Sequence, residues 1–239
     1  MNPLRVLDLF GNLGNFTLGL ERTGAFKTVA FCEPNRSLRE ALARRWPGVP
    51  VFESLEAITR ERLAADELKV DVVCGGFPPH DFIGKTVRKK RGEEAWREQV
   101  RILLQARPRW VILEISPAFS GLNLKRIMGL FRTIGFVSWW GQLPPDEDDV
   151  NGRLWIVSGN LRRGAPPSFG RETCDWEIRS AIAERHDWGL DPKALEAARE
   201  ISGPVSRVQM FSSSFHVTIA QAIGETIRKF ETAAAQPTT

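Results

Sequence analysis

The feature that most limits what this chain can fold into is its alternation of short apolar runs with longer amphipathic ones. LRVLDLF (4–10), KTVAFCE (27–33), VPVFE (49–53), KVDVVCGGF (69–77) and RWVILEI (109–115) are dense apolar runs bounded by turn residues. Strands buried on both faces read this way. Between them, FTLGLERTG reads as a short helix ending at Gly24, and NRSLREALARRW (35–46) as an amphipathic helix stopped by Pro47-Gly48. ITRERLAADEL (58–68), EEAWREQVRILLQA (93–106) and LNLKRIMGLFRTIG (122–135) carry the same helical period. Strands alternating with helices predict an α/β fold with a doubly wound, mostly parallel sheet. FVSWWGQL and RLWIVSG (153–159) predict a closing hairpin, and HVTIAQAIGETIRKFE (216–231) a final amphipathic helix. Residues 160–205 lack a strand period and read as a small, loop-rich insertion. The expected organisation is a first domain over 1–159, the insertion over 160–205, a C-terminal helix over 206–231 completing the first domain, and a tail over 232–239.

A chain of 239 residues, 42% of them hydrophobic, can bury one substantial core. The net charge of +4 permits a nucleic-acid partner without requiring one. Three scattered cysteines (Cys32, Cys74, Cys174) and three distant histidines (His80, His186, His216) form no metal spacing and no even disulfide set. The expectations are therefore no metal and a reducing cytoplasm, with no membrane segment visible.

In such a sheet, ligands sit at the carboxyl ends of the strands. DLFGNLGNF puts Asp8 and Phe10 at the end of the first strand, with Gly11 and Gly14 in the turn. Glu33 ends the next strand, where an acid can accept hydrogen bonds from ribose hydroxyls. This is a nucleotide-site pattern, although a glycine turn beside a surface glutamate reads the same way. CGGFPPHDF (74–82) likewise carries a strand into a loop, but the position suited to a reactive side chain holds Pro79.

The order of DLFGNLGNFTLGLE, FCEPN, DVVCGGFPPHDF, RPRWVILEISP, GRLWIVSG and AQAIGETI resembles the cytosine-5 DNA methyltransferases. The resemblance covers about 1–159 and 205–231. It implies the Rossmann-like sheet of S-adenosylmethionine-dependent methyltransferases. It also implies S-adenosylmethionine as cofactor, lined by Asp8, Phe10, Gly14, Glu33 and Pro78, and DNA as partner. In that family a cysteine thiolate adds to carbon 6 of a flipped-out cytosine, making carbon 5 nucleophilic, while a glutamate bonds and protonates the ring nitrogen. The glutamate corresponds to Glu114. The cysteine position is Pro79, the following glutamine is His80, and of the arginine motif before the late strand only Arg153 remains. His80 is read as a base or DNA contact. Asn12 and Asn15 stand where glycines are usual, Ile115 where an asparagine is, and SSSF (212–215) replaces the last motif.

Cys74 is five residues upstream and reads as a core thiol. GKTVRKKRGEE (84–94) falls where the family has a mobile loop that closes on DNA, so Lys85, Arg88, Lys89, Lys90 and Arg91 are candidate phosphate contacts, or simply a solvated basic loop. The insertion is short for a sequence-reading region. These departures fall in separate blocks at the ligand-facing strand ends. They lead to the expectation of a methyltransferase homologue without the standard activity, a pseudoenzyme that binds DNA or regulates a protein partner in a bacterial or phage-type cytoplasm. The alternative is an active S-adenosylmethionine-dependent nucleobase-modifying enzyme with an altered mechanism. A third is a scaffold that binds neither ligand.

Overall fold

The computed structural model of the chain describes residues 2–76, 86–115, 122–143, 153–165 and 216–235. The first strand, β1 (Leu4–Leu9), leads through the glycine turn into α1 (Asn15–Glu21). β2 (Phe26–Cys32), α2 (Arg36–Arg45), β3 (Val51–Phe52), α3 (Arg60–Ala65) and β4 (Val72–Gly76) follow. After them come α4 (Thr86–Ala106), β5 (Trp110–Ile115), α5 (Leu122–Thr133), β6 (Phe136–Leu143) and β7 (Arg153–Asn160). A short 3-10 turn (Leu161–Arg163) closes β7, and a last helix, α6 (His216–Ala234), ends the described chain. Helix starts follow local chemistry. The Asn35 side chain accepts the Leu38 N–H ahead of α2, and Thr59 accepts the Arg62 N–H ahead of α3.

The strands form one seven-stranded sheet in the order β3-β2-β1-β4-β5-β7-β6. The pairs among β1 to β5 are parallel, and β7 is antiparallel to both β5 and β6. The expected hairpin of β6 and β7 is present. β7 inserts between β5 and β6 rather than following β6 outward, an order that the sequence pattern does not encode. Among the described residues no helix is long and apolar enough to cross a membrane.

Two apolar layers cover the sheet. On one face Val6, Cys74, Trp110, Ile112, Trp155 and Val157 pack against α1 and α6. On the other, Leu7, Leu9, Val73, Val111, Leu113 and Ile156 pack against α3, α4 and α5. Each buried side chain of this size contributes roughly 1.5–3 kcal/mol. The close approach of α1 and α6 depends on Gly19, where a Cβ would meet the Val217 carbonyl at 2.3 Å. The far end of α6 is tied to β5: Trp110 Nε1 donates to Glu231 Oε1 at 2.6 Å, and Arg109 Nε lies 2.9 Å from the same oxygen as an ion pair.

One expectation is corrected here. The stretch over 84–94 reads as a loop in the sequence, but from Thr86 onward it is helix, the first turns of α4. Lys, Arg and Glu are strong helix formers, and a single glycine, Gly92, costs only about 1 kcal/mol in a helix interior. The segment lacks an apolar stripe, which is why its helical state leaves no period to read.

Candidate functional site

The carboxyl ends of β1, β2, β4 and β5 and the start of antiparallel β7 meet at one rim of the sheet. The turn after β1 forms its centre. Phe10, Asn12 and Gly14 all adopt left-handed backbone, with φ of 58°, 49° and 74°. Asparagine tolerates this conformation, whereas for a bulky residue such as Phe10 it is a true outlier of the kind found at ligand sites. At Gly14 a Cβ would lie 2.4 Å from the Trp46 ring, and at Gly11 it would lie 2.9 Å from Phe31. The turn is therefore sealed on its outer side by α2 and its neighbours. Arg45 adds a bond from its guanidinium to the Leu13 carbonyl.

Glu33 follows β2 and is 6% exposed. Its two carboxylate oxygens each accept a backbone N–H, one from Asn12 at 3.0 Å and one from Asn35 at 2.8 Å. The left-handed turn and the entrance of α2 together hold this carboxylate in place. Burial pushes its pKa up, while the two backbone bonds and Arg39 pull the other way. Each oxygen keeps a further lone pair with which to accept a hydroxyl. The side-chain oxygen of Asn12 is buried and has no hydrogen-bond partner among the described residues.

Asp8 lies beneath the turn and is 1% exposed. Thr17, one turn into α1, donates its hydroxyl to Asp8 Oδ2 at 2.6 Å, and the Cys74 thiol donates to the same carboxylate. Burial pushes Asp8 up to about 7; the two donors oppose the shift and the nearby charge of Glu33 adds to it. Cys74 is itself fully buried, and burial together with Asp8 raises its pKa well above the usual thiol range. Cys32 is pushed up to about 12 by burial and by Glu33, Glu56 and Asp8. Neither thiol offers a thiolate at neutral pH.

Glu114 stands on β5 directly across from Gly76 on β4 and from Trp155 on β7. It is 6% exposed. Among the described residues, nothing lies within 4 Å of where a Cβ on Gly76 would stand, across from Glu114 at the end of β4. By strand alternation Asp8, Cys74 and Glu114 share the face that carries α1 and α6. Arg153 opens β7 two residues before Trp155, which places its backbone at the same rim.

The sheet thus brings together Asp8, Phe10, Gly14, Glu33, Glu114 and the backbone of Arg153. Arg88, Lys89, Lys90 and Arg91 lie on the first turns of α4. Pro78, Pro79, His80 and Lys85 lie outside the described residues, as do residues 166–215, which hold most of the expected insertion and SSSF (212–215). Sequence reasoning missed Thr17, Asn35 and Trp46. Thr17 on α1 bonds Asp8 beneath the turn, Trp46 at the end of α2 lies against Gly14, and no spacing rule marks them. Asn35 both caps α2 and donates its backbone N–H to Glu33, a double role the sequence pattern did not mark. Among the described residues no group of His, Cys, Asp and Glu is arranged to hold a metal ion.

Comparison with known proteins places this geometry. The family model for the C-5 cytosine-specific DNA methylase matches residues 4–139. The type II methyltransferase M.HgiBI of Herpetosiphon aurantiacus is 30% identical over 146 residues, covering 57% of this chain and 32% of that protein. M.HgiCII of the same organism is 26% identical over 218 residues, covering 85% of this chain and 48% of that protein. The chain matches less than half the length of either relative. Among solved structures, the Dnmt2 methyltransferase of S. pombe superposes with a TM-score of 0.58 at 14% identity over 81% of this chain and 66% of that one. The Spodoptera frugiperda DNMT2 mutant gives 0.61 at 10% identity over 95% and 98%. These likenesses confirm the fold, a mostly parallel seven-stranded sheet of the methyltransferase type. With its family model matched over more than half its length, the chain belongs to the C-5 cytosine-specific DNA methylase family.

Proposed function

We propose that this protein is a DNA-binding member of its family that does not methylate cytosine by thiolate addition and acts instead as a regulatory or partner protein. The carrying observation is the state of Cys74. In the family chemistry a thiolate must reach carbon 6 of the base. Pro79 occupies the motif position in the sequence, and the nearest upstream thiol is buried in β4 and bonded to Asp8. Cys32 is buried as well. Without addition at carbon 6, carbon 5 stays a poor nucleophile, and Glu114 alone can polarise the ring but cannot make the enamine.

The family is S-adenosylmethionine-dependent, and the residues around the turn fit such a ligand. The Glu33 carboxylate, held by two backbone N–H groups, has lone pairs for ribose hydroxyls, and the unpartnered Asn12 oxygen offers an acceptor for an amino group. Phe10, Gly14, Asp8 and Pro78 complete the residues assigned to that role. When bound, the cofactor supplies an electrophilic methyl group. In this reading the chain's own residues bind and orient it without an activated base to receive the methyl. The basic start of α4, Arg88 to Arg91 with Lys85 before it, contacts DNA phosphates, and residues 160–205 form a reduced counterpart of the family's recognition region.

A second reading is favoured by one observation: Glu114 remains at the rim, paired with Gly76 at the end of β4. It describes an active S-adenosylmethionine-dependent nucleobase-modifying enzyme with an altered mechanism. One experiment separates the two. Duplex DNA binding is measured by anisotropy, and methyl incorporation from labelled S-adenosylmethionine is followed in the same samples. Salt-dependent binding without incorporation is expected. Incorporation that collapses in Glu114→Gln would establish the second reading.

A further inference from the structure

The opposite end of the sheet, away from the candidate site, carries a cluster of arginines that the family reading does not use. Three connections meet there. Arg107 follows α4, Arg132 lies in the last turn of α5, and Arg162 and Arg163 form the 3-10 turn after β7. Backbone bonds hold these connections together: Asn160 N–H donates to the Arg109 carbonyl at 2.8 Å, and Leu161 N–H to the Gly135 carbonyl at 3.2 Å. The Arg162 side chain lies across Gly135, its Cδ and Nε 3.2 Å from where a Cβ would stand, and Gly135 is itself bonded to the Arg132 carbonyl. Arg163 Nε donates to the Arg107 carbonyl at 3.2 Å. All four arginines are exposed, as is Leu161 at 44%.

Two of the acids at this end are already neutralised. Asp71 is bound by Arg5 through both oxygens, and Glu231 is held by Arg109 and Trp110. Among the described residues the four outer arginines have no carboxylate partner. Arg107 and Arg132 suit the negative ends of their helices, but Arg162 and Arg163 sit in a turn with no such need. Guanidinium groups gathered from three connections, solvent-facing and without a carboxylate partner among the described residues, match a run of phosphates and carry no means of reading bases.

We propose that this end of the sheet is a second nucleic-acid surface, distinct from the strand-end site, that holds the phosphate backbone of duplex DNA without sequence preference. It rests on the chain's own charge arrangement and stands whether or not the α4 start contacts DNA. The test uses the full chain and a mixed-sequence duplex, with affinity measured across salt concentrations. The variants are R132A/R162A/R163A, the lysine triple R132K/R162K/R163K, and K89A/K90A. Arg107 is left in place because its backbone is left-handed, with φ of 48°. Each lost phosphate contact lowers the salt slope by about 0.9. The alanine triple is expected to flatten the slope by about 2 to 3 and weaken binding at least tenfold at low salt, with circular dichroism unchanged and the lysine triple close to wild type. An unchanged slope in the alanine triple, with loss confined to K89A/K90A, would overturn this surface and leave the proposed function standing. Absence of duplex binding by the wild-type chain would overturn both. Binding of polyglutamate but not duplex would assign the cluster to an acidic protein and equally overturn it.

Discussion

Asp8 gives the turn a pH dependence whose sign follows from its burial. Burial pushes its pKa up from the ordinary carboxylate range to about 7 in the folded chain. Between the two the folded state binds more protons than the unfolded state, so its stability falls as pH rises through that window and levels off above it. Asp8→Asn keeps an acceptor for Thr17 and Cys74 but cannot ionise. The variant is expected to gain stability relative to wild type as pH increases from about 4 to about 8, read as the difference in urea midpoints. Parallel profiles would show that Asp8 does not titrate in this range. Gly14 is set by geometry rather than charge. With φ of 74° and the Trp46 ring 2.4 Å from any Cβ, Gly14→Ala is expected to cost about 2–4 kcal/mol in urea unfolding. At this scale the sequence exposes part of the site. Asp8 and Glu33 are legible because acids at the ends of apolar runs stand out, whereas Glu114 is singled out only by the resemblance of its motif to the family's. Thr17 and the role of Asn35 are not, because hydrogen bonds between elements leave no local spacing.

Helix α4 is the element on which the sequence reading and the structure part company. The apolar period begins near Glu93, yet the helix begins at Thr86. Its first turns are dominated by charged residues with good intrinsic helix propensity and carry no repeating apolar positions in the sequence. If the segment is helical through Gly92, Gly92→Ala should raise stability by about 0.5–1 kcal/mol, measured as a shift in the unfolding midpoint. No gain would fit a loop there and contradict the helix start. The strand order shows a similar limit. Each of the seven strands announces itself by composition, but the insertion of β7 between β5 and β6 depends on which edges meet after the chain reverses, and no single strand encodes that.

At the scale of the whole molecule, strand–helix alternation specifies the sheet, and the sheet collects residues far apart in sequence onto one rim. Asp8, Glu33 and Glu114 come from three strands, yet they all stand at carboxyl ends because the strands between β1 and β5 run parallel. In this account the loss of thiolate chemistry is spread over several rim blocks, so Pro79→Cys alone is expected to produce no robust methylation of cytosine-containing duplex. The most direct test of the central claim is covalent trapping. The chain is incubated with S-adenosylmethionine and a duplex bearing 5-fluorocytosine, in which, after addition at carbon 6 and methyl transfer to carbon 5, fluorine leaves no carbon-5 proton for the elimination that frees the protein, and the intact protein mass is measured. The account predicts an unmodified mass; an adduct of protein with the duplex, at Cys174 or any other residue, would contradict it.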